Sequence, residues 1–231
     1  TKSLKTLIHQ VTDRQSAQED VGFVMWPSAV ILSRWLLSNP EILSNKTVLE
    51  LGAGCGLVGL VCASIPGVSK VILTDFNSMV LKNIDRNIEL NKSTSQCSDV
   101  STQKLDFYQQ LGKKGSSFWI EGSTDRECEQ VDVIVAADII CKRSDALAAA
   151  KSIHDVLKDG GEAFVVLGDS KHRFGVDAFA TDCANVGLEV HSTSVSELYG
   201  GELLDRDALH QTCGYIDEMK LNMYHVVKRT L

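Results

Sequence analysis

The sequence has no excess of positive charge, no C-x-x-C or H-x-x-x-H pair, and no uninterrupted apolar run of bilayer length. Each absence excludes a class. With 30 acidic against 23 basic side chains, a formal charge of −7 and a pI near 5.4, the chain lacks the basic face with which nucleic-acid-binding domains meet phosphates. No nucleic-acid partner is expected. The seven cysteines are odd in number and several sit inside apolar segments, which reads as reduced intracellular thiols rather than a disulfide framework or a zinc site. The six histidines show no ligand spacing, so no metal is expected. The most apolar stretch, 21–37, is interrupted by Trp26-Pro27-Ser28 and Arg34, and residues 1–20 contain no apolar core, so neither a membrane span nor a signal peptide is expected. No linker, repeat or low-complexity tract divides the 231 residues, which suffice for one α/β domain with a sizeable core.

What is present centres on Val48-Leu49-Glu50-Leu51-Gly52-Ala53-Gly54-Cys55-Gly56-Leu57-Val58-Gly59-Leu60. It opens as an apolar strand, breaks on three alternate glycines and resumes as the first turns of a buried helix. Glycines take positive φ and let the backbone approach a ligand in front of a helix N-terminus, where amide N–H groups point outward. A dinucleotide fingerprint, GxGxx(G/A), wants a small residue where Leu57 stands; the GxGxG spacing of Gly52, Gly54 and Gly56 suits a compact nucleoside instead. An acid should then end the second strand and take the two ribose hydroxyls. Asp75 closes Lys70-Val71-Ile72-Leu73-Thr74-Asp75, about two dozen residues after Gly52, at the expected offset.

The remaining elements follow in order. Pro27 suits the first turn of a helix running towards Asn39-Pro40, and Trp26 before it is either a core plug or a wall of the ligand pocket. Asn77 or Ser78 caps a helix with Val80, Ile84 and Ile88 in phase, ended by Asn91. A weaker third strand spans 101–107, with Asp106 placed to accept from an adenine amino group and Phe107 to pack on its ring. Strand four, 131–138, is apolar along its length and so buried on both faces. Ligands in open α/β sheets sit beyond the carboxyl ends of the strands where strand order reverses, which brings the turns after strands one and four together and directs Asp138 towards the reacting end; a helix cap or a surface carboxylate is the plainer role. A helix at 144–157, strand five at 162–167, a helix near 176–185, strand six at 188–195, an acid-rich insertion at 196–218 and a final strand at 221–228 complete the chain. The fold expected is a Rossmann-like, doubly wound α/β sheet of seven strands, mostly parallel with an antiparallel last strand.

Trp26-Pro27-Ser28-Ala29, VLELGAGCGLVGL at 48–60, LTD at 73–75, the Asn87 and Asn91 pair and VDVIVAAD at 131–138 together resemble the seven-β-strand protein methyltransferases, in particular the methyltransferase-like branch with the calmodulin-lysine and chaperone-lysine enzymes. The resemblance covers most of the chain from about Val21 and weakens past Gly168. It implies a single methyltransferase domain over 1–231, with 1–40 as an N-terminal extension and helix, and S-adenosyl-L-methionine as methyl donor. By that analogy Glu50 and the glycine turn (Gly52, Gly54, Gly56) hold the methionine end, Asp75 the ribose, Asp106 and Phe107 the adenine, while Trp26 and Ala137 line the pocket. Asp138 becomes the candidate for orienting, and assisting deprotonation of, a target amine. The branch commonly has tryptophan where Phe107 stands, and an aromatic residue three positions after the strand-four acid where this chain has Cys141, which offers no ring face to an ammonium; Tyr199, Trp119 and Phe23 are the candidates to supply one.

The function implied is protein N-methylation, lysine-directed, on a protein substrate with a basic target segment, by a cytoplasmic or nuclear monomer acting neither on nucleic acid nor at a membrane. The alternatives are a small-molecule methyltransferase on the same fold, a non-catalytic S-adenosylmethionine-binding module, and a nicotinamide dehydrogenase, which Leu57 disfavours.

Overall fold

The structure, a computed structural model, describes residues 5–10, 18–110, 129–169, 171, 173–198 and 220–230. Helix α1 (Pro27–Ser38) precedes an alternation of β1 (Thr47–Leu51), α2 (Leu57–Ser64), β2 (Lys70–Asp75), α3 (Ser78–Asn91), β3 (Val100–Lys104), β4 (Val131–Ala137), α4 (Arg143–Val156), β5 (Leu157–Gly168), α5 (Phe179–Asn185) and β6 (Leu188–Ser194), followed by the short α6 (Val195–Leu198) and β7 (Leu221–Lys228). Among the described residues the seven strands form one sheet in the order β3-β2-β1-β4-β5-β7-β6. The pairs β1·β2, β2·β3, β1·β4 and β4·β5 are parallel; β7 lies between β5 and β6 and is antiparallel to both. Strand order reverses between β1 and β4, which fixes where a ligand can sit.

Side-chain alternation along the strands divides the core in two. Val48, Val71, Leu73, Val133 and Val135 face α1, α2 and α3, where Leu32, Leu36, Val58, Val80 and Ile84 meet them. Leu49, Leu51, Ile72, Ile134 and Ala136 face α4 and α5, and there Ala146, Ala149 and Ala150 let α4 approach the sheet closely around Ile153 and Phe179. Each such fully buried aliphatic side chain contributes roughly 1.5–3 kcal/mol relative to exposure. Asn77 caps α3 by accepting from the Met79 N–H at 2.8 Å. Among the described residues no helix is long and apolar enough to cross a membrane.

Two strand boundaries differ from the sequence expectation by three residues or more. Strand three ends at Lys104, because Asp106 accepts from the Tyr108 N–H and turns the chain into a 3-10 helix over Phe107–Gln110. Strand five starts at Leu157 rather than Glu162: Asp159-Gly160-Gly161 forms a bulge within the strand, with Gly160 at φ 76°, rather than a stop ahead of it.

The N-terminal segment is held by a ladder of asparagines one helical turn apart on α3. Asn91 accepts from the Leu7 N–H and donates to the Leu7 carbonyl (2.8 and 2.6 Å); Asn87 does the same at His9 (2.8 and 3.2 Å), and Asn83 adds a donor to the His9 carbonyl at 3.0 Å. Spacing i, i+4, i+8 puts the three amides on one face. These bonds are mostly to backbone, so they read an extended chain rather than its side chains. Asn87 Nδ2 also donates to the Cys55 carbonyl at 2.9 Å, tying the strap to the glycine turn.

Candidate active site

The carboxyl ends of β1, β2 and β4 open on a cavity of about 420 Å³, within the ~300–1,000 Å³ range of small-ligand clefts. The turn after β1 forms its floor. Ala53 N–H donates to the Thr74 carbonyl at 2.7 Å, which pins the turn to the end of β2. Gly52 has φ 65°, and a Cβ there would lie 2.9 Å from Ile139 Cγ2 and 3.4 Å from Phe107 Cζ, inside the space the cavity needs. Only glycine leaves that cradle open.

Glu50 and Asp75 supply the acids. Glu50 is 2 % exposed, lines the cavity, and its Oε2 accepts from the Gly59 N–H at 2.8 Å. Burial pushes its carboxyl up to about 8, opposed by the N–H groups of Gly59 and Val58. Asp75, also buried, accepts from Gly54 N–H at 3.2 Å and from Asn77 N–H at 3.0 Å. Burial raises its carboxyl too, and these N–H bonds work against that. A carboxylate offers about four acceptor sites, so the N–H partners at Gly54, Asn77 and Phe76 leave capacity for a hydroxyl donor.

Of the predicted site residues, Trp26, Glu50, Gly52, Gly54, Asp75, Asp106, Phe107, Ala137 and Asp138 line this one cavity. Gly56 does not. Its φ of 79° starts α2, its N–H is spent on the Ala53 carbonyl at 2.7 Å, and a Cβ on it would meet Leu73 and Ile84 in the core. The third glycine therefore turns the chain and packs the helix on the sheet. Trp26 is a half-buried wall, with its indole N–H donating to the Val21 carbonyl at 3.1 Å.

Asp138 follows β4 with φ 55°, a left-handed conformation uncommon outside glycine, and its N–H donates to the Val166 carbonyl at 2.9 Å. Its side chain is 2 % exposed, and both oxygens accept from Arg173: Nε to Oδ1 at 3.0 Å and Nη2 to Oδ2 at 2.6 Å. The Arg173 guanidinium lies 4.8 Å over the Trp26 ring. It is Asp145, not Asp138, that caps α4, through Oδ2 on the Cys141 and Lys142 N–H groups at 2.9 and 3.0 Å. Cys141 is exposed at the cavity edge. Phe23 is buried in the core and is not among the cavity residues; Tyr199 and Trp119 lie outside the described residues.

Several cavity residues escape the sequence reading. Phe76, 55 % exposed, follows the strand-two acid and lines the cavity, a position a reading of the strand end alone could flag. Val21, Gly22 and Met25 arrive from the N-terminal segment; a Cβ at Gly54 would sit 3.2 Å from the Gly22 carbonyl oxygen. Tyr108 lines the same space with Lys142, whose ammonium is 5.1 Å over the Tyr108 ring, while the Tyr108 hydroxyl bonds to Asp145. No local pattern announces those crossings.

A family model described as lysine methyltransferase matches residues 8–178. The chain is 30 % identical over 172 residues to the calmodulin-lysine N-methyltransferase of Arabidopsis thaliana, covering 74 % of this chain and 52 % of that protein. It is 33 % identical over 119 residues to the human protein-lysine N-methyltransferase EEF2KMT, covering 52 % of this chain and 35 % of that one. The chain thus spans about half, or less, of the length of these curated relatives. Among solved structures, a methyltransferase from Pyrococcus furiosus superposes with a TM-score of 0.55 at 16 % identity (87 % and 83 % of the two chains), and the [4+2]-cyclase SpnF with 0.60 at 14 % (98 % and 87 %). A methyltransferase and a cyclase on one fold show that the sheet alone does not dictate the reaction.

Proposed function

The chain belongs to the lysine methyltransferase family, and from that premise we propose that it is an S-adenosyl-L-methionine-dependent protein N-methyltransferase directed at lysine. The observation that carries the reading is the convergence on one cavity of Glu50, the glycine turn, Asp75 and Phe107, at the point where strand order reverses. The donor set fits the cofactor: buried Glu50 for its α-ammonium, Asp75 for the ribose hydroxyls, Asp106 and Phe107 for the adenine, and the space kept open by Gly52 for close backbone approach. S-adenosyl-L-methionine supplies a methyl group on a positively charged sulfur, which needs little covalent help from the protein.

The chain's own work is alignment and exclusion of water. A lysine amine must be neutral to attack, and its unperturbed pKa is about 10.4. The apolar wall of Val21, Met25, Trp26 and Ala137 favours the neutral amine by withdrawing solvent from the ammonium. With S-adenosyl-L-methionine bound, the neutral amine would take the methyl group and the carbon–sulfur electron pair would stay on sulfur. Asp138 and Trp26 border the acceptor side. The partner is a protein with a basic target segment, for which the acid-rich stretch 196–218 is the complement in charge, and the enzyme works as a monomer in the cytoplasm or nucleus.

The test is incubation of the protein with methyl-labelled S-adenosylmethionine and a cell lysate, followed by separation of macromolecules from metabolites. Label in protein supports the reading. Label confined to small molecules points to a metabolite acceptor, and cofactor binding without any label to a silent binding module.

A further inference from the structure

We infer that Arg173 is a positioning residue for the acceptor side of the cavity: its guanidinium clasps the buried Asp138 carboxylate and covers the Trp26 face, so that Asp138 acts through this clasp rather than as base or hydrogen-bond partner of the incoming amine. That the acceptor is an amine rests on the function proposed above.

The geometry limits what Asp138 can do directly. Its side chain is 2 % exposed and each oxygen receives one N–H of the same guanidinium fork, at 3.0 and 2.6 Å. Protonating either oxygen would neutralise the charge that holds the guanidinium, and a side chain only 2 % exposed leaves its remaining acceptor sites little access to an incoming amine. The fork and the ring contact also specify arginine: a lysine ammonium can neutralise the charge but cannot span both oxygens and lie flat on an indole. Asp138 and its neighbours Ala137, Ile139 and Cys141 all border the cavity, so the left-handed kink at Asp138 sets the course of the wall that follows β4.

Arg173 in turn carries the position of the segment after β5. Its N–H donates to the Asp169 carbonyl at 3.0 Å, closing a turn. Two residues on, Gly175 has φ 95° and packs so tightly on the start of α4 that a Cβ would lie 2.5 Å from Arg143 Cα. Arg143 itself grips Asp182 of α5 through its two terminal nitrogens, Nη1 and Nη2, at 2.5 and 3.1 Å. Clasp and packing therefore join three separate pieces of chain at one cavity wall: the end of β4, the post-β5 turn and, through Trp26, the entry to α1.

A charge-pair cycle tests this. Wild type, D138N, R173Q, D138N/R173Q and R173K are compared for kcat and KM on a labelled lysine substrate, for the Kd of S-adenosylmethionine, and for urea unfolding. Each single neutral change removes one charge of the Asp138–Arg173 pair and is expected to lower kcat on the order of tenfold, with the cofactor Kd moving less than about threefold. The double neutral variant is expected to regain most of that kcat. R173K, which keeps the charge, folds and still loses kcat. A double variant no more active than D138N, or an R173Q as active as wild type, overturns the proposal. Should wild type bind S-adenosylmethionine yet methylate no protein, the function above fails, and the clasp is then decided by unfolding alone: coupling below about threefold in the unfolding constant contradicts it.

Discussion

The backbone N–H of Gly59 donates to Oε2 of Glu50 at 2.8 Å, across the first turn of α2. The helix begins at Gly56, which has no side chain to cap it, so the orphan N–H groups of that turn are met by a carboxyl from the preceding strand. One acid thus serves both the helix start and the cavity.

Replacing Gly59 by alanine tests how tightly this is built. Alanine favours a helix interior by about 1 kcal/mol over glycine, but its Cβ would fall 2.7 Å from Glu50 Oε2 and 2.7 Å from Leu73 Cδ2. Overpacking of a buried site costs about 1–3 kcal/mol and prevails. Gly59→Ala is expected to lower stability in urea unfolding and to weaken S-adenosylmethionine binding in calorimetry. An unchanged affinity would separate Glu50 from the cofactor.

Glu50 also predicts a pH dependence. Burial holds its carboxyl at about 8 in the folded chain, against 4.5 for an unburied glutamate. Between those values the folded state holds a proton that the unfolded state has released, so this group's contribution to stability falls as pH rises through that window. Glu50→Gln removes the penalty of ionising and should raise stability at pH 8.5 relative to wild type, on the order of 5 kcal/mol, with the gap closing near pH 4.5. Binding of a cationic amine to Glu50 should release a proton near neutral pH, read as a calorimetric enthalpy that changes with the buffer's ionisation enthalpy. Buffer-independent heats at pH 7 would contradict the assignment.

Asn87 couples the N-terminal strap to the glycine turn. Asn87→Ala strips partners from the His9 carbonyl and N–H and from the Cys55 carbonyl. Leaving buried groups unpaired costs about 1–3 kcal/mol each where water cannot replace the partner. The variant should lose on the order of 2 kcal/mol and show faster amide exchange at Leu7 and His9. Exchange at wild-type rates would mean the strap is held elsewhere.

Legibility in the sequence followed distance along the chain. The glycine turn, the acid ending β2, the Asn77 cap and the buried run of β4 are local signals, written in glycine spacing, side-chain period and one capping residue; Gly52, Gly54, Asp75, Ala137 and Asp138 of the cavity follow from them, whereas Glu50 rested on the family resemblance. Gly56 carried the same letter as its neighbours yet serves the core, because GxG spacing does not say which way an absent Cβ would have pointed. The Asp138–Arg173 clasp joins residues 35 positions apart, and the asparagine ladder on α3 meets a strap 74 to 84 positions away. Only the folded sheet brings such pairs within reach. The Asp159-Gly160-Gly161 cue misplaced the start of β5, since a bulge and a stop share that signature.

The most direct test of lysine transfer is tandem mass spectrometry of protein labelled by wild type and by Asp75→Asn in parallel. The account predicts a methyl group on the Nε of a specific lysine with wild type. It predicts a signal reduced about tenfold or more by the variant at limiting S-adenosylmethionine, since a hydrogen bond to a charged group is worth about 1.5–3 kcal/mol. Methyl on arginine or histidine, or equal labelling by both proteins, would contradict it.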